Sequence, residues 1–143
     1  MSRSPIAAAE RDRIRAALHD LAGPVTLRYY TSDVDSWYSR TERALLDEIR
    51  AASPRVTLEI HADRWDAARE AAVGIARTPV LAVAGERDTR VRYYGVPDGY
   101  ELEIFLALLR AVAGGPSVLA ETSVARLRAL TRPVHLEVLA SPT

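Results

Sequence analysis

The chain has 143 residues, 48% hydrophobic and 27% charged, and its nineteen Lys+Arg balance nineteen Asp+Glu. That length and composition suit one compact globular domain and fall short of two of ordinary size, while the neutral balance excludes a general electrostatic affinity for nucleic acid or anionic membrane. Cysteine is absent, which excludes a disulfide, a thiolate nucleophile and a Cys-ligated metal site.

The opening "SPIAAAERDRIRAALHDLAG" predicts a helix. Ser4 is placed to cap it, Pro5 suits the first helical position, and Gly23-Pro24 ends it. Ile14, Leu18 and Leu21 recur at helical spacing and give one apolar face. "VTLRYY" (25–30) follows as a strand with Val25, Leu27 and Tyr29 alternating. From about Ser36 to Ala52 the period is helical again, with Leu45, Leu46 and Ile49 inward and Ser53-Pro54 as the stop.

"RVTLEIHA" (55–62) alternates as a second strand, and "RWDAAREAAVGIA" (64–76) predicts a helix that stops before the Arg77-Thr78-Pro79 junction. "PVLAVAG" (79–85) and "TRVRYYG" (89–95) predict an antiparallel hairpin around the turn from Gly85 to Asp88. "DGYELEIFLALLRAVAGG" predicts a long helix with Leu102, Phe105, Leu106 and Leu109 inward, closed by Gly114-Gly115. The order α-βαβα-ββα argues an α/β fold, a mixed sheet of four strands flanked by helices.

The tail then repeats the beginning. Leu18, Leu21, Pro24, Val25 and Leu27 recur 109 positions on as Leu127, Leu130, Pro133, Val134 and Leu136. The expected organisation is a domain over 1–115 with an extra N-terminal helix, followed over 116–143 by a helix and a strand that begin a second copy. The strand 134–139 is expected to present unpaired edge groups, which favours pairing with the first sheet or self-association.

This ordered set resembles the thioredoxin fold. The carrying stretches are "HDLAGPVTLRYYTSD", "GIARTPVLAV" and "YYGVPDGYELEIFLALL", together with "SWYS" at 36–39. The resemblance is to tandem proteins: the glutaredoxin-like protein disulfide oxidoreductases and the N-terminal region of the flavoprotein subunit of bacterial alkyl hydroperoxide reductase. It implies a C-x-x-C dithiol at the start of the first long helix, where unpaired N–H groups and the helix dipole stabilise a thiolate.

Ser36 and Ser39 match the two cysteine positions, and Tyr38 the family tyrosine. A serine hydroxyl is a far weaker acid than a thiol and forms no disulfide, so Ser36 and Ser39 stand as vestigial or replaced positions. The resemblance further implies a cis bond before Pro79, with Thr78 and Pro79 facing the reactive corner and pairing with an extended peptide. Trp37, Tyr38, Thr78, Pro79 and Gly95 are the expected binding positions.

Three explanations of the serines stay open: a natural redox-silent half, replacement of native cysteines in a thiol–disulfide oxidoreductase, and a loop that does not correspond to the family's. The expected work is binding or docking of a protein or peptide partner, with no nucleic acid, membrane, cofactor or metal. His19, His61 and His135 lack ligand spacing. Arg87, Arg90 and Arg92 read as solvated charges that keep an edge strand from pairing. Ser36 and Ser39 lack the G-x-S-x-G setting of a hydrolase nucleophile. With no apolar segment or cleavage site at the start and no membrane-length apolar run, the expected location is cytoplasmic.

Overall fold

A computed structural model of the chain describes residues 6–32, 37–116 and 119–139, and for 37–39 the backbone alone. The elements are α1 (Ala8–Leu18), β1 (Val25–Thr31), α2 (Trp37–Ala52), β2 (Val56–Ala62), α3 (Ala67–Ala72), β3 (Val80–Ala84), β4 (Asp88–Tyr93), α4 (Tyr100–Val112) and α5 (Glu121–Arg128). The four strands form one mixed sheet in the order β2-β1-β3-β4. β1 runs parallel to β2, Val25 opposite Val56 through Thr31 opposite Ala62, and antiparallel to β3, Thr26 opposite Ala84 through Tyr30 opposite Val80. β4 returns antiparallel beside β3, with an irregularity at Val83/Ala84.

Strand alternation assigns the two faces. Leu27 and Tyr29 of β1 with Leu81 and Val83 of β3 belong to the main core, which also holds Ile14, Leu18, Leu45, Leu46, Ile49, Phe105 and Leu109 from α1, α2 and α4. The residues between them, Tyr30, Val80 and Ala82, join Ile75 in a smaller cluster on the opposite face, covered by Trp65, Val73 and Tyr94. Among the described residues no helix is long and apolar enough to cross a membrane.

Three boundaries differ from the sequence reading. Within the described residues α1 begins at Ala8 behind Ala7, whose N–H donates to the Glu10 carboxylate at 3.1 Å. That is half of a capping box, since alanine cannot reciprocate; the caps proposed at Ser4 and Pro5 lie outside the described residues. α3 spans 67–72 and not 64–76, because Asp66 accepts from Arg69 N–H and fixes the start, while Gly74 at φ +69 turns the chain out of the helix. The strand expected at 134–139 is not formed: among the described residues no ladder partner lies beside it, and a strand without a neighbour has nothing to satisfy its backbone.

Candidate functional site

β1 and α2 meet at the corner where the sequence places its reactive stretch. β1 ends at Thr31, and α2 starts at Trp37, so the N–H groups of its first turn, which have no partner within the helix, lie toward the connecting loop. Ser36 lies outside the described residues. Trp37, Tyr38 and Ser39 form the first turn of α2. Thr78 and Pro79 arrive from the other side, immediately before β3, and are half-buried; the bond between them is cis. The β1–β3 ladder ends at Tyr30–Val80, so the backbone of Thr78 lies beyond it.

Among the described residues the hydroxyls of Ser32 and Thr78, 3.3 Å apart, join the two sides. Ser32 was not singled out in the sequence, where it is one of several small polar residues in "TSDVDS". Gly95 sits two residues past β4 at φ +136, a backbone conformation that favours glycine, on the way to α4.

β4 holds the segment that carries Thr78. The N–H of Ala76 donates to the Tyr94 hydroxyl at 2.9 Å, Arg77 lies over the Tyr94 ring at 4.7 Å, and Arg92 Nε donates to the Gly74 carbonyl at 3.1 Å. Arg92 also grips Asp88 with both terminal nitrogens, at 2.9 and 2.7 Å, and is only 14% exposed. Its reading as a solvated edge charge is therefore corrected; Arg87 and Arg90 remain exposed. The Arg92 guanidinium holds the Asp88 carboxyl well below the usual carboxylate range.

The sheet face below Thr78 is aromatic. Tyr30 stacks on His61 at 4.7 Å and meets the edge of Trp65 at 5.1 Å, and the Trp65 indole donates to the His61 carbonyl. Trp65 is half-buried. His61 thus serves packing, and among the described residues no group of three or more His, Asp or Glu side chains could hold a metal.

On the other face, Glu42 of α2 is buried at 1% exposure. Burial pushes its carboxyl up to about 7 against a smaller downward pull from the neighbouring Tyr29 hydroxyl. Sequence reasoning missed this residue, although its position was a signal: Glu42 continues the inward stripe of Leu45, Leu46 and Ile49 by three residues toward the start of α2.

As chemistry, the described residues of the corner offer the Ser32 and Thr78 hydroxyls and a helix start. With no cysteine in the sequence the corner has no thiol to form a thiolate or a mixed disulfide.

No protein-family model and no curated protein matches this sequence. Solved structures do. The NTD_N/C domain of alkylhydroperoxide reductase AhpF from Enterococcus faecalis V583 is similar over 85% of this chain at 21% identity and TM-score 0.68. The C503A mutant of the AhpF subunit from the same organism is similar over 87% at 20% identity and TM-score 0.72. A protein disulfide oxidoreductase from Aeropyrum pernix K1 is similar over 90% at 18% identity and TM-score 0.69. The chain spans 58%, 61% and 58% of those chains respectively. In its element order, mixed sheet and structural neighbours, this chain has the thioredoxin fold.

Proposed function

We propose that the chain is a binding domain of the thioredoxin fold without thiol chemistry of its own, docking an extended protein or peptide segment within a thiol–disulfide oxidoreductase system. The observation that carries this reading is the corner itself. The Thr78–Pro79 segment lies beside Ser32, just past the end of β1 and five residues before α2 begins, and serine stands at 36 and 39 in a sequence with no cysteine. The backbone of Thr78 beyond the last ladder pair supports docking by strand-like pairing, in which main-chain hydrogen bonds supply affinity and side-chain pockets supply selectivity. Trp37, Tyr38 and Gly95 are the further contact positions in this reading, and a cytoplasmic setting belongs to it, since nothing in a cysteine-free chain depends on an oxidising compartment.

The same reading divides the chain into a domain over 1–115 and a tail over 116–143 that begins a second copy. The repeated Leu127, Leu130, Pro133, Val134 and Leu136 support this.

The test is a backbone NMR titration with insulin B chain whose thiols are permanently alkylated. Shifts at Thr78, Val80 and Trp37, weakened by Pro79→Ala, are the expected result; shifts confined to other surfaces overturn it. The rival is an oxidoreductase with serine in place of its cysteines. Installing Ser36→Cys and Ser39→Cys together decides between them. Insulin reduction by the double variant, with a first thiol well below the ordinary pKa of about 8.5, favours the enzyme; an ordinary thiol and no turnover favour the binding domain.

A further inference from the structure

Strand β2 and the segment 134–139 are two unpaired edges with one residue pattern. β2 lies at an end of the sheet. Val25 N–H donates to the Arg55 carbonyl and Asp63 N–H to the Thr31 carbonyl. In a parallel ladder this turns the odd-numbered residues of β2 toward β1 and leaves the N–H and C=O groups of Leu58 and Ile60 pointing outward. No proline, lysine, arginine or register shift interrupts Val56–Ala62. The other edge, β4, is blunted: the exposed Arg90 sits at φ +62, and the ladder slips at Val83/Ala84.

The tail supplies the complement. Leu136, Val138 and Leu139 are 84%, 86% and 97% exposed and carry no ladder within their own chain. "VTLEIH" of β2 and "VHLEVL" of the tail alternate alike, apolar with mostly polar residues between. On β2 the apolar set, Val56, Leu58 and Ile60, lies on the helix-bearing side of the sheet. An added strand must place Val134, Leu136 and Val138 on that same side.

We propose that residues 134–139 of one copy add as a parallel strand to β2 of a second copy, reciprocally, in a twofold dimer. The register sets Leu58 opposite Val134, Ile60 opposite Leu136 and Ala62 opposite Val138. Between them Glu59, which already accepts from Arg28 Nε at 2.8 Å, faces His135. His61, whose Nε2 lies 3.7 Å from the Glu59 carboxylate and makes no hydrogen bond, faces Glu137, which gives up its 2.9 Å contact with His135 Nε2. Charge disfavours two alternatives: pairing Leu58 with Leu136 in parallel sets Glu59 against Glu137, and so does an antiparallel pairing of Ile60 with Leu136, while a cross-link between positions 57 and 133 separates the parallel register from an antiparallel one that pairs Leu58 with Leu136. Like charges directly opposite destabilise a sheet. The contact does not use the corner at Thr78, so it stands or falls apart from the docking reading.

Sedimentation equilibrium of the full chain tests it. The expected result is a concentration-dependent dimer. Leu136→Asp is expected to weaken it at least about tenfold while leaving the unfolding midpoint of the dilute monomer unchanged, since Leu136 is 84% exposed within its own chain. The absence of native cysteine allows a register test: Thr57→Cys in one chain and Pro133→Cys in another place the thiols opposite each other on neighbouring strands, at about 5 Å between Cα atoms, within disulfide range. Oxidation of the mixture is expected to give the cross-linked heterodimer in preference to either homodimer. A chain monomeric into the millimolar range, a dimer indifferent to Leu136→Asp, or a 57–133 bridge formed inside one dilute doubly substituted chain each overturns the proposal.

Discussion

In α1, β1 and the turn between them, Leu18, Leu21, Val25 and Leu27 are buried at 0–5% exposure, whereas their repeats in the tail, Leu127, Leu130, Val134 and Leu136, are 55–84% exposed. The residue types are identical, so the difference lies in what surrounds them. β1 has β2 on one side and β3 on the other, and α1 packs on α2 and α4; no strand of the sheet lies beside the tail. The copies also differ where the first depends on its neighbours. Buried Ile14 corresponds to Ser123, Asp20 to Ala129 and Gly23 to Arg132. The tail keeps the strand alternation and drops the residues that seat a helix, which suits a segment that joins a sheet by its edge.

The comparison is broken most directly by making one change in both copies. Leu27→Ala removes a fully buried side chain and is expected to cost about 2–5 kcal/mol of unfolding free energy. Leu136→Ala is expected to fall within about 0.5 kcal/mol when the chain is dilute. Urea titration of the two variants measures the contrast, and equal losses would mean that the tail is packed in the monomer.

A second contrast concerns carboxylates. Glu42, raised from its ordinary 4.5 to about 7 mainly by burial, binds its proton more tightly folded than unfolded. Its contribution to stability is therefore complete below about pH 4.5 and is lost as pH rises through about 7, reaching roughly 3 kcal/mol at full ionisation. Glu42→Gln keeps the shape and a group for the Tyr29 hydroxyl while removing the ionisation. Stability of the variant is expected to stay flat from pH 5 to 9 where the parent declines, as chemical denaturation across that range would reveal. Glu137→Gln in the exposed copy is expected to leave the parent's slope intact.

Gly23 gives the third. A Cβ at this position meets the Ala113 carbonyl oxygen at 2.8 Å, a close approach of backbone to backbone that only glycine allows. Gly23→Ala is expected to cost about 1–3 kcal/mol by overpacking the junction of α1, β1 and α4, read as a lowered melting temperature. Arg132, its counterpart, is exposed, and Arg132→Gly is expected to leave melting unchanged.

These pairs also show what the sequence could reveal. Helical and strand periods exposed the core because each apolar stripe has a single place to go: Leu45, Leu46 and Ile49 on α2 and Leu102, Phe105, Leu106 and Leu109 on α4 are all buried. Period alone carries no information about partners, which is why 134–139 reads as a strand and forms none. Propensity over 64–76 likewise favours helix, and the local geometry of Gly74 cuts it short. At the corner, "TP" marked the segment that enters β3. The support behind it was hidden, because Tyr94 and Arg92 reach Ala76 and Gly74 across 18 residues, and no local pattern encodes which side chain bridges such a gap.

The smallest effect is expected at Asp20, whose counterpart is Ala129. Arg110 Nη1 donates to the Asp20 carboxylate at 2.6 Å and holds that carboxyl below its usual range, yet both side chains are roughly half exposed. Water and salt screen such a pair, and Arg110 retains its second bond, to the Ala17 carbonyl at the end of α1. Asp20→Ala is therefore expected to lower the melting temperature less than Gly23→Ala does. Because the folded pKa is depressed, the loss should be present at neutral pH and vanish in acid, as the parent's own carboxylate protonates. Added sodium chloride should shrink it as well. Ala129→Asp, the reverse change in the exposed copy, should alter nothing at any pH; a gain there would mean that a basic side chain faces the tail and that the two copies are more alike in their surroundings than their exposures indicate.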